Sequence, residues 1–282
     1  MNAVYLIATV LAIAGQNILK KVYNLRTGGG VYFFTTLSAL SAMVFFLITG
    51  IGKLSFTAAL LPYSAAFGAA YAVAVVFSVM AVSCGSLSLT TLINSYSLML
   101  PTFYGLLFLR ESVSPGLIPG LLLLIISLIL VNKKTESTPI TPKWLICVAL
   151  AFVGNGLCSI FQKVQQSSFD GAYKSEFMIL ALAMVVVVMA LLMFRSERQK
   201  MKTCASRGWW SCLSGGILNG MVNLFVMILA GTMAVSLMFP IISAGGIIVT
   251  FFVSRWVYHE KLTRRQLIGF ALGVLSVIFL NL

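Results

Sequence analysis

Charged side chains are scarce: Asp, Glu, Lys and Arg make up 9% of the 282 residues, against 60% apolar ones, with a mean hydropathy of +1.04. Soluble chains carry roughly 25% charged residues. A chain this poor in charge cannot clothe itself for water, so most of its surface faces lipid. Acid is scarcer still. The six carboxylates are Glu111, Glu136, Asp170, Glu176, Glu197 and Glu260, and all fall in predicted loops or at predicted helix ends. An intramembrane carboxylate is the usual mark of a proton relay or cation site, and its lack weakens a proton-coupled exporter of cations. Histidine is represented once, by His259 beside Glu260. No Ser-His-Asp set, HExxH or aspartate-rich motif occurs, so an enzyme is not expected. The five cysteines, Cys84, Cys147, Cys158, Cys204 and Cys212, are odd in number and form no CxxC pair. That speaks against a disulfide framework or a zinc site, and no metal or cofactor is expected.

Base is in excess, with a net charge of +13. The Lys and Arg residues do not gather into aromatic-interleaved patches of the nucleic-acid-binding kind. They lie in short gaps between apolar runs, where basic residues flank membrane spans and set orientation. The expected partners are a lipid bilayer and a small-molecule substrate, not nucleic acid. Monomer and dimer both stay open. The apolar run Met1 to Ala14 has no preceding Lys or Arg, as a signal peptide requires, and reads as a retained first membrane helix.

A bilayer core of ~30 Å takes ~20 residues of helix. Parsed on that rule, the chain gives ten spans: 3–19, 31–50, 58–83, 87–109, 115–131, 143–161, 174–194, 208–230, 234–257 and 264–282. The predicted fold class is an all-α polytopic membrane protein. The stretch from Asn132 to Lys143, with Lys133, Lys134, Pro139 and Pro142, reads as a joint near the midpoint. A shift of 149 residues places Glu111 on Glu260, Gly120 on Gly269, Ser127 on Ser276 and Asn132 on Asn281. A shift of 142 places Ile18, Lys21 and Val22 on Ile160, Lys163 and Val164. The chain therefore divides into a first five-helix repeat over 1–132, a linker over 133–142 and a second repeat over 143–282. Five spans return the chain to the opposite side, so the second repeat must be inverted. Inverted repeats are a recurrent transporter architecture, with substrate held near the midplane. Fifteen of the 19 basic residues fall on one side. The positive-inside rule makes that side cytoplasmic and both termini extracytoplasmic, in a cell (plasma) membrane.

Neutral polar residues inside the spans are the candidate site. Asn94 and Asn223 lead. Tyr71 and Asn17 come next, then Gln16, Asn219, Ser243 and Ser159. Asn219 and Asn223 are four apart and share a helix face. Under the repeat, Asn94 overlies Ser243 and Asn17 overlies Ser159. Each amide costs free energy in lipid and should face the protein interior. Two readings stay open for each residue: a polar cavity, or an interhelical hydrogen bond worth ~0.6 kcal/mol on average. Pro101 and Pro240 fall inside predicted helices 4 and 9, where proline bends a helix. Glu111 and Glu260 precede helices 5 and 10 and read as caps on a helix start.

The run Glu260-Lys261-Leu262-Thr263-Arg264-Arg265-Gln266-Leu267-Ile268-Gly269 resembles the pattern E-x-L-T-x-x-Q-x-x-G followed by an apolar helix. That pattern is typical of the EamA-like branch of the drug/metabolite transporter superfamily. Glu111 to Gly120 is a degraded copy without the Gln. Gly15 and Lys21 are similar to the Trp-Gly and Lys of the family's first-helix region, with Ala14 in place of the tryptophan. The resemblance implies ten helices in two repeats and a central cavity lined by helices 1, 3, 4, 6, 8 and 9. It also implies transport of small metabolites without a bound cofactor. The expected function is a secondary transporter or facilitator of a neutral or zwitterionic organic solute, amino-acid-like or nucleoside-like, by alternating access. The alternatives are export of lipophilic cations held by aromatics such as Tyr71 and Tyr96, or a membrane scaffold that translocates nothing.

Overall fold

The structure is a computed structural model, and it describes residues 2–84, 90, 93–94, 96–111, 115–131, 141–252 and 263–280. Among them are ten α-helices. These are α1 (Asn2–Thr27), α2 (Val31–Thr49), α3 (Leu61–Cys84), α4 (Met99–Leu107), α5 (Leu117–Val131), α6 (Pro142–Ser168), α7 (Lys174–Ser196), α8 (Met201–Thr232), α9 (Val235–Phe252) and α10 (Arg264–Leu280). A single 3-10 turn, Ala58–Leu60, leads into α3. Six helices (α1, α2, α3, α6, α7 and α8) are long and apolar enough to cross a membrane, while α5 and α9 are shorter apolar helices.

Three helices run past the spans that hydropathy assigns. α1 continues from 19 to Thr27, α6 continues from 161 to Ser168, and α8 begins at Met201 instead of 208. The extra turns carry Lys20, Asn24 and Arg26, then Gln162 to Ser168, then Lys202, Ser206 and Arg207. These residues are good enough helix formers but not apolar. A hydropathy rule sees the hydrocarbon crossing and not the helix that emerges from it.

The chain forms two compact units, each drawing on both halves of the sequence. The first comprises Met1–Val10, Val73–Ile160 and Thr232–Leu282, and the second Leu11–Ala72 and Phe161–Gly231. In the first unit α5 packs on α10, and α9 packs on α4, α5 and α10. The α5–α10 contact is close because Gly120 faces Leu280, where an added Cβ would come within 2.8 Å of Leu280 Cγ. Ser127 Oγ donates to the Gly269 carbonyl at 2.6 Å across the same contact. Thr263 and Gln266 form a capping box at the start of α10: the Gln266 oxygen accepts from Thr263 N at 3.0 Å, and Gln266 N donates to Thr263 Oγ1 at 3.3 Å. The T-x-x-Q part of the sequence pattern is this device. Glu260 lies outside the described residues.

In the second unit α2 packs along α7, and α8 lies against α2. Gly216 makes that contact possible: an added Cβ would fall 2.5 Å from Ser41 Cβ. Ser38 and Ser41 donate to the Cys212 and Leu213 carbonyls at 3.1 and 2.9 Å. Tyr23, Phe34, Cys204 and Cys212 form a buried cluster.

Two carboxylates serve as helix caps, each on a helix from the other half of the chain. In the first unit, Arg110 adopts a left-handed backbone (φ 51°) that turns the chain back at the end of α4. Glu111 then reaches the start of α9, where Oε1 accepts from Val235 N at 3.0 Å and Oε2 from Ser236 N at 2.9 Å. In the second unit, Glu197 accepts from Tyr32 N and Phe33 N at 3.1 and 2.8 Å, capping α2. The first N–H groups of a helix have no partner within it and favour negative charge. Glu111 is thus a cap, as expected, but of α9 and not of the helix it precedes in sequence. Its position beside α5 in the chain concealed a partner 124 residues away.

A candidate polar lining

In the first unit Asn94 lies beside a break ahead of α4. Ser97 and Leu98 form a turn ahead of α4. Ser97 N and Ser97 Oγ both donate to the Asn94 carbonyl, at 3.1 and 2.6 Å, and Leu100 N donates to Ser97 O at 3.1 Å. Pro101 is the third residue of α4. There its missing N–H costs no helical bond, so the proline restarts a helix instead of kinking a continuous one. Asn94 Nδ2 donates to Ser78 Oγ of α3 at 3.0 Å. Its Oδ1 is buried with no donor among the described residues. Gly156 of α6 admits Leu100 into close contact, since a Cβ there would lie 2.7 Å from Leu100 Cβ. Ser159 is buried in the same unit and Ser243 half-buried on α9. Ser236, the second residue of α9, also buries a hydroxyl oxygen with no partner among the described residues.

In the second unit the amides form a chain. Asn223 Nδ2 donates to Asn219 O and Oδ1 at 2.8 and 3.0 Å, as the four-residue spacing predicts. Asn223 Oδ1 accepts from Gln162 Nε2 of α6 at 2.8 Å. A separate pair of amides lies further along α6. Gln165 Nε2 donates to Ala172 O at 3.0 Å, and Gln166 Nε2 donates to Gln165 Oε1. Gln166 is 2% exposed, and its Oε1 has no donor among the described residues. Lys163 closes the end of α8 by donating to the Ala230 carbonyl at 2.8 Å. Gln165 and Gln166 were invisible as site residues because hydropathy ends the span at 161. The spacing Gln162, Gln165, Gln166 is nonetheless one helix face.

α1 adds a second polar face to this unit. Asn17, Lys20 and Asn24 are exposed, and Gln16 is half-buried beside them. They recur at three and four residues and so form one stripe. Leu11 and Leu25 are exposed on another side, about 130° around the helix at 100° per residue. Within the span lipid accommodates Leu11 but penalises Gln16 and Asn17, while Lys20, Asn24 and Leu25 lie in the turns beyond it. Tyr71 of α3 is half-buried and stacks on Phe67 with ring centroids 6.1 Å apart.

Of the eight residues singled out, then, Asn94, Ser159 and Ser243 belong to the first unit. Asn223, Asn219, Tyr71, Asn17 and Gln16 belong to the second. Hydrogen bonds join Asn219 to Asn223. The described carboxylates, Glu111, Asp170, Glu176 and Glu197, all sit in loops or at helix ends, and no cluster of His, Cys, Asp and Glu able to hold a metal occurs among the described residues.

Residues 142–282 match the EamA-like transporter family, which takes in α6 to α10 and half of the chain. A search of curated proteins finds no match in sequence. Among solved structures, one described only as a crystal structure of protein superposes with a TM-score of 0.80 at 12% identity, covering 99% of this chain and 95% of the other. That likeness establishes the fold along the full length. Transporters of this kind are multi-pass membrane proteins that move small molecules and are typically not enzymes. The chain, with its long apolar helices, belongs to the EamA-like transporter family.

Proposed function

We propose that this transporter is a secondary carrier or facilitator for a small neutral or zwitterionic organic metabolite, working by alternating access. The observation that carries the reading is the amide lining. Asn94 Oδ1 in the first unit and, separately, Gln166 Oε1 in the second are buried acceptors with no donor among the described residues, and no carboxylate accompanies either among the described span interiors. A buried acceptor left unsatisfied costs about 1–3 kcal/mol. A solute carrying N–H or O–H groups, such as an amino-acid-like ammonium or a nucleoside-like hydroxyl, supplies the missing donors. The polar stripe of α1, Asn17 and Lys20 with Gln16, is the aqueous face along which such a solute moves. Lys20 adds a positive charge that suits a carboxylate and disfavours a bare cation.

The architecture we propose is ten membrane helices in two inverted five-helix repeats, 1–132 and 143–282. Helix pairing supports it: α2 lies with α7, α4 with α9 and α5 with α10, so three of the five helices of the first half meet their counterparts five positions on. We place both termini outside the plasma membrane, on the asymmetry of the basic residues.

Export of lipophilic cations is favoured by the Phe67–Tyr71 stack. Proteoliposome uptake of one labelled zwitterionic amino acid and one quaternary amine separates the two readings. Saturable uptake of the zwitterion alone is expected. Uptake of the quaternary amine alone would assign the cation reading, and uptake of neither across a broad metabolite panel would favour a scaffold.

A further inference from the structure

A cleft of about 460 Å³ opens at one end of the second unit, lined by Leu25, Arg26, Ser206, Arg207, Trp209 and Trp210. It is built by the close approach of α1 and α8. Gly208 lies on the ring of Tyr23, where an added Cβ would fall 2.7 Å from Tyr23 Cδ2. Tyr23 is fully buried and held by a 2.8 Å bond from its hydroxyl to the Gly30 carbonyl. Arg26 stands one turn beyond Tyr23 and Arg207 stands next to Gly208, so the contact sets the two guanidinium groups on the same cleft. Both arginines are exposed, and neither pairs with a carboxylate among the described residues. Lys200 and Lys202 add positive charge at the same end of α8.

The apolar side of the cleft is as telling as the basic side. Leu25 is 77% exposed, Trp209 49% and Trp210 61%, and the two indoles meet edge to face at 5.9 Å. Tryptophan concentrates where hydrocarbon meets headgroups. Here it marks the level at which α8 passes from its charged first turns into its apolar length. A soluble anion would use the arginines and leave the indoles and Leu25 wet. A ligand with an anionic phosphate and attached acyl chains satisfies both.

We propose that this cleft is a binding site for the headgroup of an anionic phospholipid, with its phosphate on Arg26 and Arg207 and its glycerol and upper acyl chain against Trp209, Trp210 and Leu25. Basic pockets between helices at the bilayer surface bind such headgroups, and guanidinium forks suit phosphate better than ammonium does.

The test uses the full chain in phosphatidylcholine bilayers containing a small fraction of brominated phosphatidylglycerol or brominated phosphatidylcholine, read by quenching of tryptophan fluorescence. Brominated phosphatidylglycerol should quench more strongly than brominated phosphatidylcholine at equal fraction. Arg26→Gln with Arg207→Gln should lower that preference by about fivefold per arginine, roughly 25-fold for the pair. Both side chains are exposed, so an unchanged melting temperature verifies that the variant folds. Trp209→Phe with Trp210→Phe should remove the headgroup-dependent part of the quenching. Equal quenching by the two lipids, or a preference that survives either double variant, would overturn the assignment. Relief of quenching by millimolar inorganic phosphate would overturn the lipid as occupant in favour of a free anion.

Discussion

Removing the Glu111 carboxylate isolates the cap on α9. It accepts two backbone N–H groups, from Val235 and Ser236, and it opposes the positive end of that helix. Hydrogen bonds to charged groups contribute about 1.5–3 kcal/mol each. Glu111 is only half-buried, so water takes over part of the role in a variant, and side-chain caps of this kind cost about 0.5–2 kcal/mol to remove. Glu111→Ala should therefore destabilise by about 2 kcal/mol. With an unfolding entropy of ~2.1 cal/mol/K per residue, the 282 residues give about 0.6 kcal/mol/K. The melting temperature should then fall by about 3 °C. Glu111→Gln keeps one acceptor and loses the charge, so its fall should be about half as large. Gly105 supplies an independent check. An added Cβ there would lie 2.5 Å from Glu111 Oε2, so Gly105→Ala should displace the carboxylate and act like Glu111→Ala. Tryptophan-fluorescence melting of the purified proteins reads all three. An unchanged Tm in Glu111→Ala together with lost transport would refute the capping argument and make Glu111 a gating residue.

Glycine at the α2–α8 contact has a similar test: Gly216→Ala pushes on Ser41 and the Ser38 backbone and should cost about 1–3 kcal/mol. Gly246→Ala has open space and should be neutral or slightly stabilising in the same melting assay. Thr263→Ala breaks the capping box of α10 and should cost about 1 kcal/mol, with Thr263→Ser nearly silent. Asn223→Leu strands Gln162 Nε2. It should lower stability by about 1–3 kcal/mol and abolish transport, whereas Asn223→Asp should retain the fold at neutral pH and alter solute preference. A C-terminal reporter active only in the cytoplasm should stay silent, and a strong signal would reverse the proposed orientation.

The helices were legible because lipid imposes a simple rule on apolar length, and all ten spans have a helical counterpart. What the rule could not see were the polar turns that extend α1, α6 and α8, and with them Gln165, Gln166 and the Arg26–Arg207 cleft. The quoted markers Gly120, Ser127, Gly269 and Gln266 proved to be packing and capping residues of α5 and α10. They therefore identify the fold and say nothing of the solute. The pairing of Asn219 with Asn223 followed from helical spacing alone. The partners of Glu111, Glu197 and Gln162 did not, because they come from distant stretches of chain and only tertiary packing selects them. From the sequence alone Pro101 reads as a kink inside one helix, whereas it is the third residue of α4. The break at Ser97 and Leu98, directly before α4, fits a proline that sits more cheaply at a new start than in a continuing turn.

The measurement that bears most directly on the proposed function is solute counterflow in proteoliposomes, run on native protein and on Asn94→Leu, with thermal stability measured on the same preparations. The account predicts saturable exchange of an amine-bearing neutral or zwitterionic solute. In Asn94→Leu that exchange should be lost, while melting shifts by little more than the ~0.6 kcal/mol of one interhelical bond. Normal exchange by a destabilised Asn94→Leu protein would contradict it, and would make the amides helix contacts instead of a solute path.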